Sequence, residues 1–400
     1  MLFTAAALAG TLHVGPTQAY QTVQDAVAAS SLDDTILIEP GTYDLGGLLY
    51  LHDRQKLRGS GPGEVRLVGA LYITGGGRLE SVTMVGLPQL AAIYVSTDYE
   101  VHDTVFEMAV GGQGLFVDLQ WDLTVDGCRF VDGDTAITGV MSGETLIHDS
   151  SFEGQRRGAI ELDIGDMGQD RLVAVTLSRN RFERVGWGAS EANGSATDAR
   201  GVVSLTELDV TKALDVVLRA NRVRGSHVRG VYVSLDEGHL IATNNLFVGN
   251  RDSDDVTGAG LTVVSQGGGT VPARVRDNTF FANQAGLSGV GSSLYLGAGV
   301  VGDVQNNVFA LGTAHAEESP AQWNYNLTYG LSDSGGIAYS GAASAGPGGV
   351  DVAGGEPLFV VPSVLPHRGD FGLLPGSAAI DAGNPAWLDD DGTVSDIGAR

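Results

Sequence analysis

Cysteine, lysine and long apolar stretches are nearly absent from this chain of 400 residues. The single cysteine, Cys128, cannot form an internal disulfide, so cysteine content does not indicate a compartment. No apolar run approaches the roughly 18 residues of a membrane helix, and no membrane span is expected. Lysine occurs only at Lys56 and Lys212, and the net charge of −25 disfavours a nucleic-acid partner.

Aromatic residues are also few, at 7%, whereas glycine is abundant, with 59 residues. This composition suits a chain of many short strands and tight turns. A chain of this length could form two or three ordinary domains, but a solenoid grows in one dimension and need not split.

One short phrase recurs between residues 101 and 328: an aliphatic residue, two more residues, a ladder position that is usually asparagine, one residue, and Phe or a substitute. The ladder positions are Thr104, Cys128, Ser150, Asn180, Asn221, Asn245, Asn278, Asn307 and Asn326. The first two steps are 24 and 22 residues, and several later steps are longer. Such a period with insertions is typical of a solenoid whose coils stack.

A second recurring segment begins with a small residue and alternates apolar and polar residues, as in Gly114–Asp118, Gly158–Leu162 and Gly230–Ser234. Each segment is too short for a helix and predicts a strand. Two or three strands per coil leave no room for a helix, which favours an all-β parallel β-helix of about eleven or twelve coils. Stacking would then place the asparagines above one another and the phenylalanines inward.

The two ends of the chain differ from the repeat. Residues 1–10 read either as a signal-peptide remnant or as a first strand. Apolar spacing from Thr17 to Ala29 predicts an amphipathic helix with Thr17 as N-cap, which would cap the open end of the solenoid. We expect the β-helix and its cap to cover residues 11–330, and a Gly/Asp-rich segment, 331–400, to pack on it or cap it.

Three parts of the chain together resemble the right-handed parallel β-helix proteins of the bacterial pectin-lyase-like superfamily. The first part is Ala19–Val27, Asp34–Tyr43 and Leu57–Pro62, and the second is the ladder repeat. The third is Glu356–Val360, Asp370–Pro385 and Asp396–Ala399, which is similar to the terminal segment of many secreted or surface-anchored members. The resemblance covers nearly the whole chain.

The resemblance implies a secreted or cell-surface protein that handles a polysaccharide, and we expect a monomer. It does not fix an activity, since the superfamily includes pectate and alginate lyases, polygalacturonases, pectin esterases, phage tailspikes and non-catalytic adhesins. The motifs of polygalacturonases and pectin esterases do not occur in this sequence, and neither does a recognisable arginine motif of pectate lyases.

Arginine is concentrated in the middle of this acidic chain. Arg157, Arg200 and Arg229 each precede a glycine that opens a strand, so they should form one column on successive coils. Such a column presents repeated forks to the carboxylates or sulfates of an anionic polysaccharide. The alternative is that these arginines pair with neighbouring acids on a solvated face.

Alternation along the predicted strands also indicates which side chains point outward. The outward set comprises Tyr94, Phe116, Asp118, Glu161, Asp163, Tyr232, Ser234, Asp236 and Tyr295. Carboxylates beside exposed rings are typical of a sugar-binding groove, and Trp187 lies in an inserted loop that could wall it. The alternative is that these rings pack beneath loops. We assign substrate binding to Arg157, Phe116, Asp118, Asp236 and Trp187.

Three functions remain open. A lyase would remove a proton beside a uronate carboxylate by β-elimination, with Arg200, Arg229, Tyr232 or His227 as candidate groups. A glycoside hydrolase would need two carboxylates from Asp118, Glu161, Asp163 and Asp236. An adhesin or structural envelope or matrix protein would need no catalytic residue.

Two clusters raise the question of a metal. Asp389, Asp391 and Asp396 resemble half of an oxygen-ligand loop for Ca²⁺, the one cofactor that the sequence suggests, and an ordinary acidic turn is the alternative. His102 and His148 fall at one position two coils apart, about 9.6 Å, with Asp126 between them. The two imidazoles could share an ion only through Asp126.

Overall fold

The computed structural model describes residues 9–52, 54–118, 122–165, 173–187, 201–208, 214–251, 258–285, 291–317, 322–330, 339–344, 346–352, 358–365 and 368–399. These residues form two compact units, divided between Glu153 and Gly154. The unit before this boundary is called the N-terminal unit, and the one after it the C-terminal unit.

The N-terminal unit consists of one short helix and sixteen strands among its described residues. They are β1 (Thr11–Val14), α1 (Val23–Ala29), β2 (Thr35–Ile38), β3 (Gly41–Leu51), β4 (Lys56–Gly59), β5 (Val65–Ile73), β6 (Arg78–Glu80), β7 (Thr83–Val85), β8 (Ala91–Val95), β9 (Tyr99–His102), β10 (Val105–Met108), β11 (Gln113–Asp118), β12 (Leu123–Asp126), β13 (Arg129–Asp132), β14 (Thr135–Met141), β15 (Glu144–His148) and β16 (Ser151–Glu153).

The C-terminal unit continues with strands alone in its described part. They are β17 (Gly158–Ile164), β18 (Val173–Ser178), β19 (Arg181–Glu183), β20 (Val203–Glu207), β21 (Leu214–Arg219), β22 (Arg222–Arg224), β23 (Val231–Leu235), β24 (His239–Thr243), β25 (Leu246–Val248), β26 (Leu261–Ser265), β27 (Val271–Arg276), β28 (Thr279–Phe281), β29 (Leu294–Leu296), β30 (Val300–Gln305), β31 (Val308–Ala310), β32 (Ala314–Ala316), β33 (Gln322–Asn324), β34 (Leu327–Tyr329), β35 (Tyr339–Gly341), β36 (Val350–Val352), β37 (Phe359–Val361) and β38 (Asp370–Leu373).

Strands of successive coils pair in parallel within each unit. One sheet of the N-terminal unit runs β1-β2-β4-β6-β9-β12-β15, and the equivalent sheet of the C-terminal unit runs β18-β21-β24-β27-β30-β33. After each ladder position comes a short post-ladder strand, such as β13 or β22, and then a longer glycine-led strand, such as β11 or β23. Three parallel strand columns of this kind are the predicted right-handed parallel β-helix.

The ladder asparagines of the C-terminal unit hydrogen-bond from coil to coil. Each side-chain amide donates to the Oδ1 atom of the next asparagine, at 3.2 Å for Asn180 and 3.0 Å for Asn221, Asn245, Asn278 and Asn307. The residue before each ladder position has a left-handed backbone, with φ near 55° at Ala220 and 57° at Asn244. Because non-glycine residues adopt this conformation at a cost, the ladder holds the turn in place.

The predicted phenylalanine stacks lie inside both units. Phe106, Phe130 and Phe152 have centroid separations of 4.5 and 4.9 Å, and Phe247, Phe280 and Phe309 have separations of 4.9 and 5.3 Å. In the N-terminal unit the ladder slots hold smaller residues, and the backbone N–H of Cys128 donates to Ser150 Oγ at 3.0 Å. Burial raises the pKa of the Cys128 thiol to about 12.

A second polar ladder in the C-terminal unit was not predicted. Asn250 Nδ2 donates to Asn283 Oδ1 at 3.0 Å, and Ser226 Oγ donates to Asn250 Oδ1 at 2.7 Å. Asn250 and Asn283 each stand five residues after a ladder asparagine, so the sequence already contained the signal. This ladder closes the turn between post-ladder and glycine-led strands.

The N-terminal helix is shorter than predicted. It begins at Val23 rather than in the Thr17 turn, because Thr22 is the N-cap and accepts a hydrogen bond from the Asp25 N–H at 3.1 Å. Val23, Ala26 and Val27 are its buried face, as the periodicity indicated. Within the described ranges, no helix has the length and apolar character needed to cross a membrane.

The end of the chain packs along outward faces of post-ladder strands in the C-terminal unit. Leu358, Phe359, Phe371, Ala379 and Ile397 form a second hydrophobic core with residues that the solenoid would otherwise expose, which include Leu246, Val248, Phe281, Val308, Ala310, Leu327 and Val352. Polar contacts anchor the same segment, with Asn306 Nδ2 donating to Ser395 Oγ at 3.0 Å and the Ala399 N–H to Thr279 Oγ1 at 3.0 Å.

Replacing a ladder asparagine should destabilise the fold. Asn278→Ala removes the acceptor of both the backbone N–H and the side-chain amide of Asn245, which is fully buried. We expect a loss of roughly 2 to 4 kcal/mol in the free energy of unfolding, measured by urea denaturation. Arg274→Ala on the neighbouring strand, whose side chain is 53% exposed, is the control and should change stability by less than about 0.5 kcal/mol. Equal stability of the two variants would contradict the role of the ladder.

Candidate functional site

A column of aromatic side chains lies on the outward face of the N-terminal unit. Tyr50, Tyr72, Tyr94 and Phe116 occupy one register position on β3, β5, β8 and β11. Successive ring centroids are 5.3, 6.0 and 5.9 Å apart. Tyr50 is 49% exposed and the other three are partly exposed. We call these four residues the aromatic column.

A polar column runs beside it, two residues further along each strand. Its members are His52, Thr74, Ser96 and Asp118, of which His52, Thr74 and Asp118 are exposed. His52 Nδ1 lies 3.2 Å from Thr74 Oγ1, and the His52 ring stacks on Tyr50 with centroids 6.4 Å apart. The surface therefore combines ring faces with hydroxyl, imidazole and carboxylate groups.

Sequence reasoning found three of the eight residues of this surface. Tyr94, Phe116 and Asp118 were expected to face outward, and they do. Tyr50 and Tyr72 were missed because their segments, which lie more than one coil before the first ladder phrase, were not recognised as repeats. The signal that could have found them is the match of Leu49-Tyr50-Leu51 and Leu71-Tyr72-Ile73 to Ile93-Tyr94-Val95.

Several predicted catalytic candidates lie on the glycine-led strands of the C-terminal unit. Glu161 and Asp163 are partly exposed on β17, and the column that contains Glu161 continues through Ser204 to Tyr232. The guanidinium of Arg229 lies 5.3 Å from the Tyr232 ring centroid, within the range of a cation–π contact. Arg229 and Tyr232 are thus one partly exposed pair.

The remaining predicted site residues of this region are dispersed. Arg157 and His227 are exposed, and Trp187 is 56% exposed. Arg200, the third member of the predicted arginine column, lies outside the described residues, so the column is seen only at Arg157 and Arg229.

The prediction that Ser234, Asp236 and Tyr295 face solvent is wrong. They are 1%, 7% and 7% exposed. Ser234 Oγ accepts from Gln266 Nε2 at 2.6 Å, the Asp236 N–H donates to Glu207 Oε2 at 2.6 Å, and the Tyr295 hydroxyl donates to Glu317. Period-two alternation gives the side of a strand correctly, but it does not show what packs over that side.

Glu207 is a buried carboxylate that sequence reasoning did not single out. It is 3% exposed, and this burial raises the pKa of its carboxyl group, as do the nearby charges of Asp236 and Glu237. Asp236 and Glu207 therefore form an internal acidic pair. The burial of Asp236 removes it from direct contact with a polymer, which weakens its predicted roles in substrate binding and hydrolysis.

The acidic turns near the end of the chain bring three carboxylates together. Single oxygens of Asp381, Asp389 and Asp396 lie within 4.8 Å of one another. Of the predicted Ca²⁺ ligands, Asp391 lies outside this group, and its Oδ1 instead accepts from Thr393 Oγ1 at 2.8 Å. Three carboxylates would supply fewer than the six to eight oxygens, approximately, that Ca²⁺ prefers.

The two predicted histidines of the N-terminal unit are bridged by the carboxylate between them. His102 Nδ1 lies 3.4 Å from Asp126 Oδ2, and His148 Nδ1 lies 3.0 Å from Asp126 Oδ1. Glu100 and Asp149 flank the imidazoles at 3.2 and 2.9 Å. These contacts form a chain of hydrogen bonds along the sheet, in which Asp126 links the coil before its own to the coil after it.

Other arginines pair with neighbouring acidic residues, which is the alternative that the sequence left open for the arginine column. Arg129 and Arg66 pair with Glu153 and Glu107 at 3.3 and 2.8 Å, and Arg181 pairs with Glu183. Glu107 and Glu153 are partly solvated, so their ion pairs have a small stabilising effect, whereas Glu183 is buried on the same strand as Arg181.

No protein-family model matches the chain, and no curated protein matches it. Several solved structures are similar to it, and three of them are compared with it. One is pectate lyase Pel9A, with a TM-score of 0.46 and 13% identity over 98% of this chain and 96% of that chain. Another is the catalytic unit of the thermostable GH87 α-1,3-glucanase from Streptomyces thermodiastaticus strain HF3-3, with a TM-score of 0.52 and 14% identity over 83% of this chain and 64% of that chain. The third is the PL6 family polysaccharide lyase Pedsa3628 from Pseudopedobacter saltans, with a TM-score of 0.36 and 14% identity over 83% of this chain and 91% of that chain.

The likeness to the glucanase unit bears on fold alone, because the identity is only 14%. This chain spans 64% of that unit's length. The parallel pairing of successive coils and this likeness agree, and the chain has the right-handed parallel β-helix fold.

Proposed function

We propose that the protein is a secreted or cell-surface protein that binds a polysaccharide along the aromatic column. The observation that carries this proposal is the set of four partly exposed rings, Tyr50, Tyr72, Tyr94 and Phe116, at one position on four successive coils. Pyranose rings have apolar C–H faces that stack on aromatic rings. A column repeated at the strand spacing suits an extended polymer better than a single small molecule.

The polar column supplies the second kind of contact that a sugar chain needs. His52, Thr74, Ser96 and Asp118 offer hydrogen-bond donors and acceptors to hydroxyl groups beside the stacked face. A few polar groups beside aromatic surface are the usual composition of a specific ligand site.

The preferred chemistry beyond binding is β-elimination on a uronate polymer in the C-terminal unit. Arg229 would neutralise the uronate carboxylate, and the Tyr232 oxygen would take the proton from the adjacent carbon. The bond to the glycosidic oxygen then breaks, a carbon–carbon double bond forms, and the leaving oxygen takes up a proton. The contact between the Arg229 guanidinium and the Tyr232 ring supports this assignment.

Hydrolysis is the second candidate, and Glu161 with Asp163 would carry it. These partly exposed residues point to the same side of β17, two residues apart, so their Cα atoms are about 6.6 Å apart. The separation of their two carboxyl groups would decide whether hydrolysis inverts or retains the anomeric configuration. A non-catalytic adhesin or matrix protein is the third candidate, and it would use the aromatic column alone.

Removing one ring of the aromatic column should weaken polymer binding. Tyr72→Ala is expected to lower affinity by about 1 kcal/mol, or roughly fivefold, in affinity electrophoresis against pectin, alginate and neutral glucans. Leu32→Ala, which removes an apolar side chain that is 54% exposed elsewhere in the same unit, should leave binding unchanged. Equal retardation of Tyr72→Ala and the wild type on every polymer that the wild type binds would rule out the aromatic column as the binding surface.

The reaction products test whether the protein cleaves a uronate polymer. Incubation with uronate polymers should release unsaturated products that absorb in the ultraviolet, and Arg229→Ala and Tyr232→Phe should each lower this rate by at least about 100-fold. Arg219→Ala, an exposed arginine on another sheet, is the matched control.

Other product patterns select the alternatives. New reducing ends without ultraviolet absorbance, lost in Glu161→Gln, would identify a hydrolase. Binding without any product would reject both enzymatic candidates and leave the adhesin.

A further inference from the structure

The outward column of post-ladder strands in the C-terminal unit changes its chemistry partway along. Arg181 and Arg222 occupy one register position, and the next coils place Leu246, Thr279 and Val308 there. The column two residues further along the same strands changes in the same way, from Glu183 and Arg224 to Val248 and Phe281. The final segment of the chain packs over the apolar part of both columns. The arginines therefore lie on the coils next to the covered ones.

A cavity of about 980 Å³ lies at this change. One wall is formed by Arg179, Arg181, Arg222 and Arg224, and the facing wall by Asp370, Phe371, Asp381, Asp391, Asp396 and Ile397. This volume is at the upper end of ordinary small-ligand pockets, roughly 300 to 1,000 Å³.

Arg224 lines this cavity, and its side chain is held by several contacts. It is 7% exposed, its guanidinium lies 5.3 Å from the Phe371 ring centroid, and its Nη1 donates to the Arg368 carbonyl at 3.0 Å. Its Nε–H has no hydrogen-bond partner among the residues that the structure describes. Burial and the nearby Arg222 charge lower the pKa of Arg224, and the Glu183 charge opposes this shift only in part. A buried donor left without a partner is costly unless a ligand accepts from it.

The local charge balance is positive on the arginine wall. Arg181 pairs with Glu183, the carboxylate that lies in register beside Arg224. Within the described residues neither Arg222 nor Arg224 forms an ion pair with any carboxylate. An anionic group between these two guanidiniums would satisfy both, with the fork geometry that suits a carboxylate.

The facing wall restricts the kind of anion. Its carboxylates accept hydrogen bonds from hydroxyl groups, and they repel a second or third negative charge on the same ligand. A compact ligand with one carboxylate and several hydroxyls satisfies both walls, whereas a multiply charged phosphate does not.

We infer that this cavity binds a singly charged acidic sugar, a uronic acid or the uronate end of a glycan, with its carboxylate at Arg222 and Arg224 and its hydroxyls toward Asp370 and Asp381. This site is separate from the aromatic column and from the Arg229–Tyr232 pair. It does not rest on the proposed function, because a protein with no polymer-binding or cleaving activity could still have it.

Titration calorimetry of the whole chain with galacturonate, galactose and inorganic phosphate tests the inference. Galacturonate should bind at least about tenfold more tightly than either of the other two. Arg222→Ala should lower its affinity by about tenfold or more, while Arg251→Ala, an exposed arginine outside the cavity, should leave it unchanged. Melting curves of both variants should match the wild type, since both side chains are exposed.

A second variant has an effect that misfolding could not produce. Asp381→Asn removes a negative charge from the facing wall, so it should tighten phosphate binding relative to galacturonate. No galacturonate binding, equal binding of phosphate and galacturonate by the wild type, or equal losses in Arg222→Ala and Arg251→Ala would each overturn the inference. Tyr72→Ala should retain galacturonate binding, so failure here is distinguishable from failure of the aromatic column.

Discussion

Each coil of the C-terminal unit depends on one hydrogen-bonded turn. The residue before the ladder asparagine adopts a left-handed backbone, and at Ala220 no glycine relieves the cost. The asparagine compensates by receiving the backbone N–H and amide of its neighbour and by donating to a carbonyl of the preceding coil, as Asn245 does to Leu218 at 2.9 Å. Since every coil repeats this turn, register is fixed at one point per coil, and all outward columns follow from it.

A fixed register explains what the sequence could and could not predict. Asn278 and Phe280 follow from the repeat because their positions depend only on contacts between equivalent residues. Asp236 and Tyr295 were placed on the correct side of their strands but are covered, and burial by other parts of the chain has no local sequence period. Tyr50 and Tyr72 were missed for a different reason, since β3 and β5 lie more than one coil before the first ladder phrase and were not recognised as repeats.

The same register determines which charged side chains lie next to one another on neighbouring coils. The chain has a net charge of −25, yet two arginines on one post-ladder strand, Arg222 and Arg224 of β22, form no ion pair with a carboxylate in the described part of the molecule. The net charge of the chain therefore does not give the local charge of this surface. The position of a charged side chain relative to its ladder residue is more informative than the total, because position decides whether the neighbouring coil supplies a counter-charge or an apolar side chain.

The thiol of Cys128 occupies a ladder slot, where it is 2% exposed and lies 3.3 Å from the Asp126 carbonyl. With a pKa of about 12, it stays protonated at neutral pH, and a protonated buried thiol is a poor nucleophile. Burial and protonation therefore both disfavour reaction of the native thiol with thiol reagents. A cysteine introduced at an exposed outward position would be labelled in preference to Cys128, so each column of the solenoid can be probed one coil at a time.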